Sequence, residues 1–135
     1  MTSAIAGFGI QLKIGTVAIA ELQDVSGPSL SLETIEVTSH SSVEGWKEYI
    51  AGLLDAGEIS FDINYVPTNA THKNAAGGLI YILAQRAVQA FSLVFPDTTT
   101  WTFNAFVTAF EPSAPVADKL SASVTLKLTG KPTLV

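Results

Sequence analysis

The sequence predicts a mainly β fold: a two-layer sandwich or barrel-like architecture, with one α-helix packed on the sheet and a long inter-strand loop. Three observations predict it. Apolar and polar residues alternate over most of the chain, which is the period of half-buried strands. The stretch Thr71 to Arg86 has helical spacing instead. The stretch Ser39 to Leu54 has neither period and carries Gly45 and Gly52. Two layers bury the apolar faces such elements present. A length of 135 residues suits a single domain, 1–135, with one core.

The first strand is read from Phe8, Ile10, Leu12 and Ile14, alternating with Gly9, Gln11 and Lys13. Gly15 offers a turn before Val17 to Leu22, and Gly27-Pro28 offers another. From Ser29 to Thr38 the phase changes: Leu30 and Leu32 share one parity, Ile35 and Val37 the other. A one-residue slip flips a strand's faces, so a bulge near Glu33 and Thr34 is the simplest reading, with a short break between two strands as the alternative. A strand resumes at Gly57, with Ile59, Phe61, Ile63 and Tyr65 on one side and Glu58, Ser60, Asp62 and Asn64 on the other. Pro67 ends it.

In the helix, Ala76, Leu79, Ile80, Leu83 and Ala87 form the apolar stripe, and Asn69 or Thr71 can cap the start. Gly77 and Gly78 each cost ~1 kcal/mol inside a helix; close approach of the helix to a sheet would accommodate them. Phe91, Leu93 and Phe95 run to a turn at Pro96-Asp97. Trp101 to Phe110 is apolar on both faces, which predicts a central strand. After Pro112 and Pro115, Leu120, Ala122, Val124, Leu126 and Leu128 alternate with Ser121, Ser123, Thr125, Lys127 and Thr129.

Composition narrows the function. Only 14% of residues are charged, against ~25% in an ordinary soluble domain. Together with the positive mean hydropathy, that hints at surface hidden in an assembly. The net charge is −5 with seven Lys and Arg, and no basic cluster that would grip phosphates. There is no Cys, which excludes disulfides, Cys metal sites and thiol catalysis. Met1 to Gly15 lacks a basic region followed by an apolar run, so no signal peptide is expected. Leu79 to Ala84 is too short an apolar run to cross a bilayer, and no membrane partner is expected.

No constellation of catalytic, cofactor-binding or metal-ligating residues emerges. His40 and His72 stand far apart in sequence without an HExxH or Cys-His pattern, and are read as two separate surface histidines. Gly7-Phe8-Gly9 has Leu12 where a dinucleotide loop needs its third glycine, and it precedes a strand. Gly77-Gly78 lacks the Lys-Ser/Thr pair of a phosphate loop, and no Gly-x-Ser-x-Gly elbow is present. Asn69-Ala70-Thr71 matches a glycosylation sequon by chance, given no secretory signal. Glu58 and Asp62 lie roughly 13 Å apart along one strand, at ~3.3 Å per residue, and read as a solvated strand face.

The most specific segment is Glu33-Thr34-Ile35-Glu36-Val37-Thr38-Ser39, followed by Gly45-Trp46-Lys47-Glu48-Tyr49-Ile50-Ala51-Gly52-Leu53-Leu54-Asp55-Ala56-Gly57-Glu58-Ile59-Ser60-Phe61. It resembles the tail tube proteins (major tail proteins) of long-tailed phages with flexible, non-contractile tails. In that family a strand ending in an acidic residue and Val-Thr-Ser leads into a loop of the form Trp-Lys/Arg-Glu-Tyr/Phe-Ile-x-Gly-Leu-x-Asp-x-Gly. The order of the flanking elements also matches, so the resemblance spans nearly the whole chain. One departure is His40, where Asp often follows Thr-Ser, and this puts in doubt any salt bridge there.

The resemblance implies a non-enzymatic structural virion protein. Its copies would form stacked six-fold rings, a hollow tail tube that conducts DNA without binding it specifically. It implies a tape measure protein and tail terminator or distal tail proteins as partners, residence in the virion tail, and assembly in the host cytoplasm. Glu44, Trp46, Lys47, Glu48, Tyr49 and Ile50 are then candidate inter-ring loop contacts, with Trp46 an aromatic anchor. The alternative for these loop residues is folding back onto their own sandwich. Glu58, Ser60, Asp62, Asn64, Ser121, Ser123, Thr125 and Lys127 are candidate lumen-facing residues, with Lys127 free to pair with Glu58 or Asp62; the alternative is the tube exterior. Two other functions stay open: a tube subunit of a contractile or secretion-type machine, and a carbohydrate-binding sandwich using Trp101 and Phe103.

Overall fold

The computed structural model of the chain describes residues 7–134. Residues 1–6, part of the segment read for a signal peptide, and Val135 lie outside the described residues. The strands are β1 (Gln11–Ile14), β2 (Val17–Ala18), β3 (Leu22–Ser26), β4 (Ser31–Glu36), β5 (Tyr49–Asp55), β6 (Glu58–Asn64), β7 (Gln89–Val94), β8 (Thr100–Ser113) and β9 (Ser121–Leu134). Among the described residues one helix, α1 (Leu79–Gln85), precedes β7, and one 3-10 turn spans Val43–Gly45.

Seven strands form one curled antiparallel sheet in the order β2-β1-β7-β8-β9-β6-β3, a half-barrel. β8 holds the middle position, as its two apolar faces predicted. β4 and β5 pair with each other as a separate two-stranded sheet. The register of β4 shifts between Leu32 and Thr34, where the phase change placed a bulge.

The alternation sorts the sheet into a dry face and a wet one. Leu12 on β1, Phe91 and Leu93 on β7, Ala105 on β8, Leu126 on β9 and Ile59 and Ile63 on β6 are all fully buried on one face. Each large apolar side chain buried this way stabilises the fold by about 1.5–3 kcal/mol. Phe91 and Phe103 stack with ring centroids 6.0 Å apart. Leu79 and Ile82 of α1 complete the core.

Several expectations are corrected. Phe8 is almost fully exposed, in a turn before β1. The stretch Val17 to Leu22 divides between β2 and the start of β3. The helix begins at Leu79, not Thr71, because Gly77 adopts a left-handed φ of 90° that a right-handed helix cannot propagate. A Cβ on Gly78 would strike the carbonyl of Lys73, so the chain coils tightly there before the helix starts. Neither Asn69 nor Thr71 caps it; the N-cap is Gly78, with no side-chain bond. Ile82, absent from the expected stripe, is buried, whereas Leu83 is half-buried and Ala76 and Ala87 are exposed.

His72 is not a surface residue. It is fully buried, and its Nδ1 accepts from the Val66 N–H at 3.1 Å. That bond fixes the proton on Nε2, which donates to the Ala20 carbonyl at 2.7 Å. Asn69 Oδ1 accepts from both the N–H and the hydroxyl of Thr71, whose Oγ1 in turn accepts from the Ala20 N–H at 3.2 Å. The loop before the helix is thus bolted to the turn before β3. His40 is exposed, as expected.

Candidate functional site: an apolar arm and a polar sheet face

Two surfaces stand out, and they lie on different sheets. The first is the arm formed by β4, β5 and the turn between them. The segment read as a structureless loop is only partly one, since Tyr49 and Ile50 lie on β5, paired with Glu36 and Ile35. No residue of β4 or β5 is buried. Yet the arm carries Leu32, Ile35, Val37, Val43, Leu53 and Leu54, all exposed. Sequence reasoning found the aromatic tip but missed these aliphatic residues. Their signal was the phase slip itself, which puts apolar side chains on both faces of a strand.

The arm tip is ordered from within. Glu48 N–H donates to Thr38 Oγ1 at 2.9 Å, its carbonyl accepts from Val37 N–H at 2.9 Å, and its carboxylate accepts from Ser42 Oγ at 2.6 Å. Glu44 and Gly45 turn with positive φ, 53° and 77°. This frame holds Trp46 72% exposed. Folding back onto the sandwich is therefore not what the subunit does: Trp46, Tyr49 and Ile50 all remain more than half exposed. Glu48 works inside the arm, a role its sequence position did not reveal.

The arm leaves the body through Gly27 and Gly57. Both have positive φ, and a Cβ on either would strike a carbonyl, of Glu58 and of Ser29 respectively. Gly57 is held further by its N–H donating to Asp55 Oδ1 at 2.8 Å and its carbonyl accepting from Leu128 N–H at 3.1 Å. Only glycine fits such a crossing.

The second surface is the wet face of the large sheet. The register pairs Glu58 with Lys127, Ser60 with Thr125, Asp62 with Ser123 and Asn64 with Ser121, so all eight residues read as lumen candidates share one face. Ser123 Oγ donates to Asp62 Oδ1 at 2.9 Å. Lys127 pairs with neither Glu58 nor Asp62; its Nζ lies 3.7 Å from Asp55 Oδ1, because Asp55 closes the arm just ahead of β6. Asn64 is only partly on the open face, and its Oδ1 is buried without a partner among the described residues. The face continues onto β8, where Phe106 stands opposite Lys127 and Glu111 opposite Ser123.

Among the described residues no cluster of three His, Cys, Asp or Glu could hold a metal, and no helix is long and apolar enough to cross a membrane. Asp97, in the β7–β8 turn, has its carboxyl held below the usual value by the Thr99 N–H and hydroxyl. Trp101 and Phe103 form no sugar platform: Phe103 is 3% exposed, and Trp101 packs edge-on against Phe95 at 5.3 Å.

The sequence profile of the lambda phage tail tube protein family matches residues 12–135. The chain belongs to that family. As a tail tube protein it builds the tail of a phage-like particle. No curated protein sequence matches it. In solved structures the fold resembles a chain in the tail of an empty gene transfer agent particle determined with C6 symmetry: 20% identity, TM-score 0.76, covering 98% of this chain and 99% of that one. It also resembles a chain of the native gene transfer agent virion, at 22% identity and TM-score 0.75, with the same coverage of both chains. A third likeness is to the tube-terminating cap of the anti-feeding prophage, at 15% identity and TM-score 0.76, covering 100% of this chain and 93% of that one. At these identities the three likenesses speak for the shared tail tube fold.

Proposed function

We propose that this tail tube protein is a purely structural subunit whose copies close into six-fold rings and stack into the hollow conduit for DNA ejection. The observation that carries this reading is the arm: a two-stranded sheet with no buried residue and apolar side chains on both faces. A solitary hairpin of that kind has little stability by itself and gains it by burial against something else. In a stacked-ring tube that something is the neighbouring ring, reached through Glu44, Trp46, Lys47, Tyr49 and Ile50, with Glu48 bracing them. The edge strands β2 and β3 supply unpaired backbone groups for closure around the ring.

The wet face of β6 and β9 then lines the lumen. Glu58, Asp62 and Glu111 outnumber Lys13 and Lys127 on that face, and phosphates are repelled by such a bias. The tube forms in the host cytoplasm around a tape measure protein and is closed by terminator and distal tail proteins. A tube of a contractile machine remains the second reading, favoured by the likeness to the anti-feeding prophage cap.

Electron microscopy of the concentrated purified protein tests the assembly. The native chain is expected to form rings or tubes. A variant with Leu32–Leu54 replaced by a short Gly/Ser linker is expected to melt within a few degrees of the native subunit and to form neither. Tubes from the shortened variant would remove the arm from the assembly.

A further inference from the structure

The root of the arm carries a concave surface that the tube reading does not itself require. Leu30, Leu54, Ala56, Pro132 and Leu134 line an open apolar groove of about 360 Å³ between the arm and the far end of β9. Leu54 is 81% exposed, so the groove is unfilled in the subunit. Asp55 and Lys131 are the charged residues of its lining.

We infer that this groove receives Trp46 of a second copy of the chain, so that each arm tip docks at the root of another subunit's arm. The inference rests on the tube reading and adds its specific contact. Three observations carry it. Trp46 is an exposed indole on a frame ordered by Glu48, so little freedom is lost when it docks. A groove of this volume is in the range of concave sites that hold an aromatic group.

The second observation is reach. Trp46 lies beyond the last pair of the arm, Glu36 with Tyr49, whereas the groove starts at the first, Ser31 with Asp55. That is roughly 20 Å of strand at ~3.3 Å per residue. An ordered hairpin cannot bring its own tip to its own root, so the occupant is another copy. The third is charge. Glu44 and Lys47 flank the indole, and Asp55 and Lys131 line the groove, so the two sites match in charge when the ring is seated with Glu44 toward Lys131 and Lys47 toward Asp55. Such pairs fix orientation more than they add affinity. A knob and a hole at different places on one chain make a heterologous contact, which propagates instead of stopping at a dimer.

The chain has no Cys, so introduced thiols report cleanly. A Glu44→Cys/Lys131→Cys variant, assembled into tubes and treated with a short bismaleimide, is expected to give a ladder of covalent oligomers. Each single variant is expected to stop at monomer or dimer. Tubes that form but yield no ladder overturn the docking while leaving the tube function intact. Failure of the native chain to polymerise at all overturns both. In a second arm, Leu54→Trp fills the groove and Trp46→Ala removes the knob. Each alone is expected to remain a soluble folded subunit, and their mixture to form pairs and no tubes. Tubes from either variant alone overturn the docking.

Discussion

His72 shows how one buried polar side chain can tie the loop before a helix to the end of a strand pair, where β3 meets β6. Both ring nitrogens are used, one by Val66 and one by Ala20, and the ring packs 6.2 Å from Tyr65. Removing the ring strips the part-buried Val66 N–H and Ala20 carbonyl of their partner, and an unsatisfied group of this kind costs about 1–3 kcal/mol. His72→Ala is therefore expected to lower the unfolding free energy by about 2–5 kcal/mol in a denaturant titration. His40→Ala, at an exposed position, is expected to stay within ~0.5 kcal/mol of the native chain. The sequence did not separate these two histidines. Neither sits in a motif, and the burial of His72 is decided by Ala20, far away in sequence.

The elements differ in how far local pattern decides them. β6 and β9 were legible because one face is buried along their shared length, so every second residue had to be apolar. β5 was not, since no partner buries either of its faces in the subunit and no period results. The helix was overextended because Ala76 keeps the stripe's spacing while Gly77 breaks the backbone that spacing requires. That correction moves the weight of the helix onto Leu79 and Ile82. Leu79→Ala is expected to cost about 2–5 kcal/mol, as for other full core truncations. Leu83→Ala, at a half-buried site, is expected to cost clearly less when the two are compared in one denaturant series. Equal losses would mean that α1 lies rotated about its axis.

In the whole molecule the dry and wet faces of one sheet divide the labour, and the arm is added at its side. The eight polar candidates were legible as two faces, β6 and β9, but their merger into one face needed the register. Phe106 and Glu111 joined that face unseen, because β8 reads as apolar on both sides and a register shift near Val107 resets its phase. If the merged face lines the lumen, its charge acts on passing DNA and not on assembly. A Glu58→Lys/Asp62→Lys variant is expected to form intact tubes but to slow DNA ejection, with the delay easing as salt screens the new attraction. Normal ejection through intact variant tubes would put these carboxylates elsewhere.

The neck at Gly27 and Gly57 has one more consequence. A hairpin roughly 20 Å long, at ~3.3 Å per residue, acts as a lever, and a tilt of about ten degrees at its pivot sweeps the far end by roughly 3 Å. That displacement is comparable to a residue of strand. Wherever the arm is used to join copies, the pitch of the resulting stack is governed less by the grip at the tip than by the backbone angle at two glycines. Those two positions could therefore change the spacing of the stack without altering a single side chain that touches a neighbour.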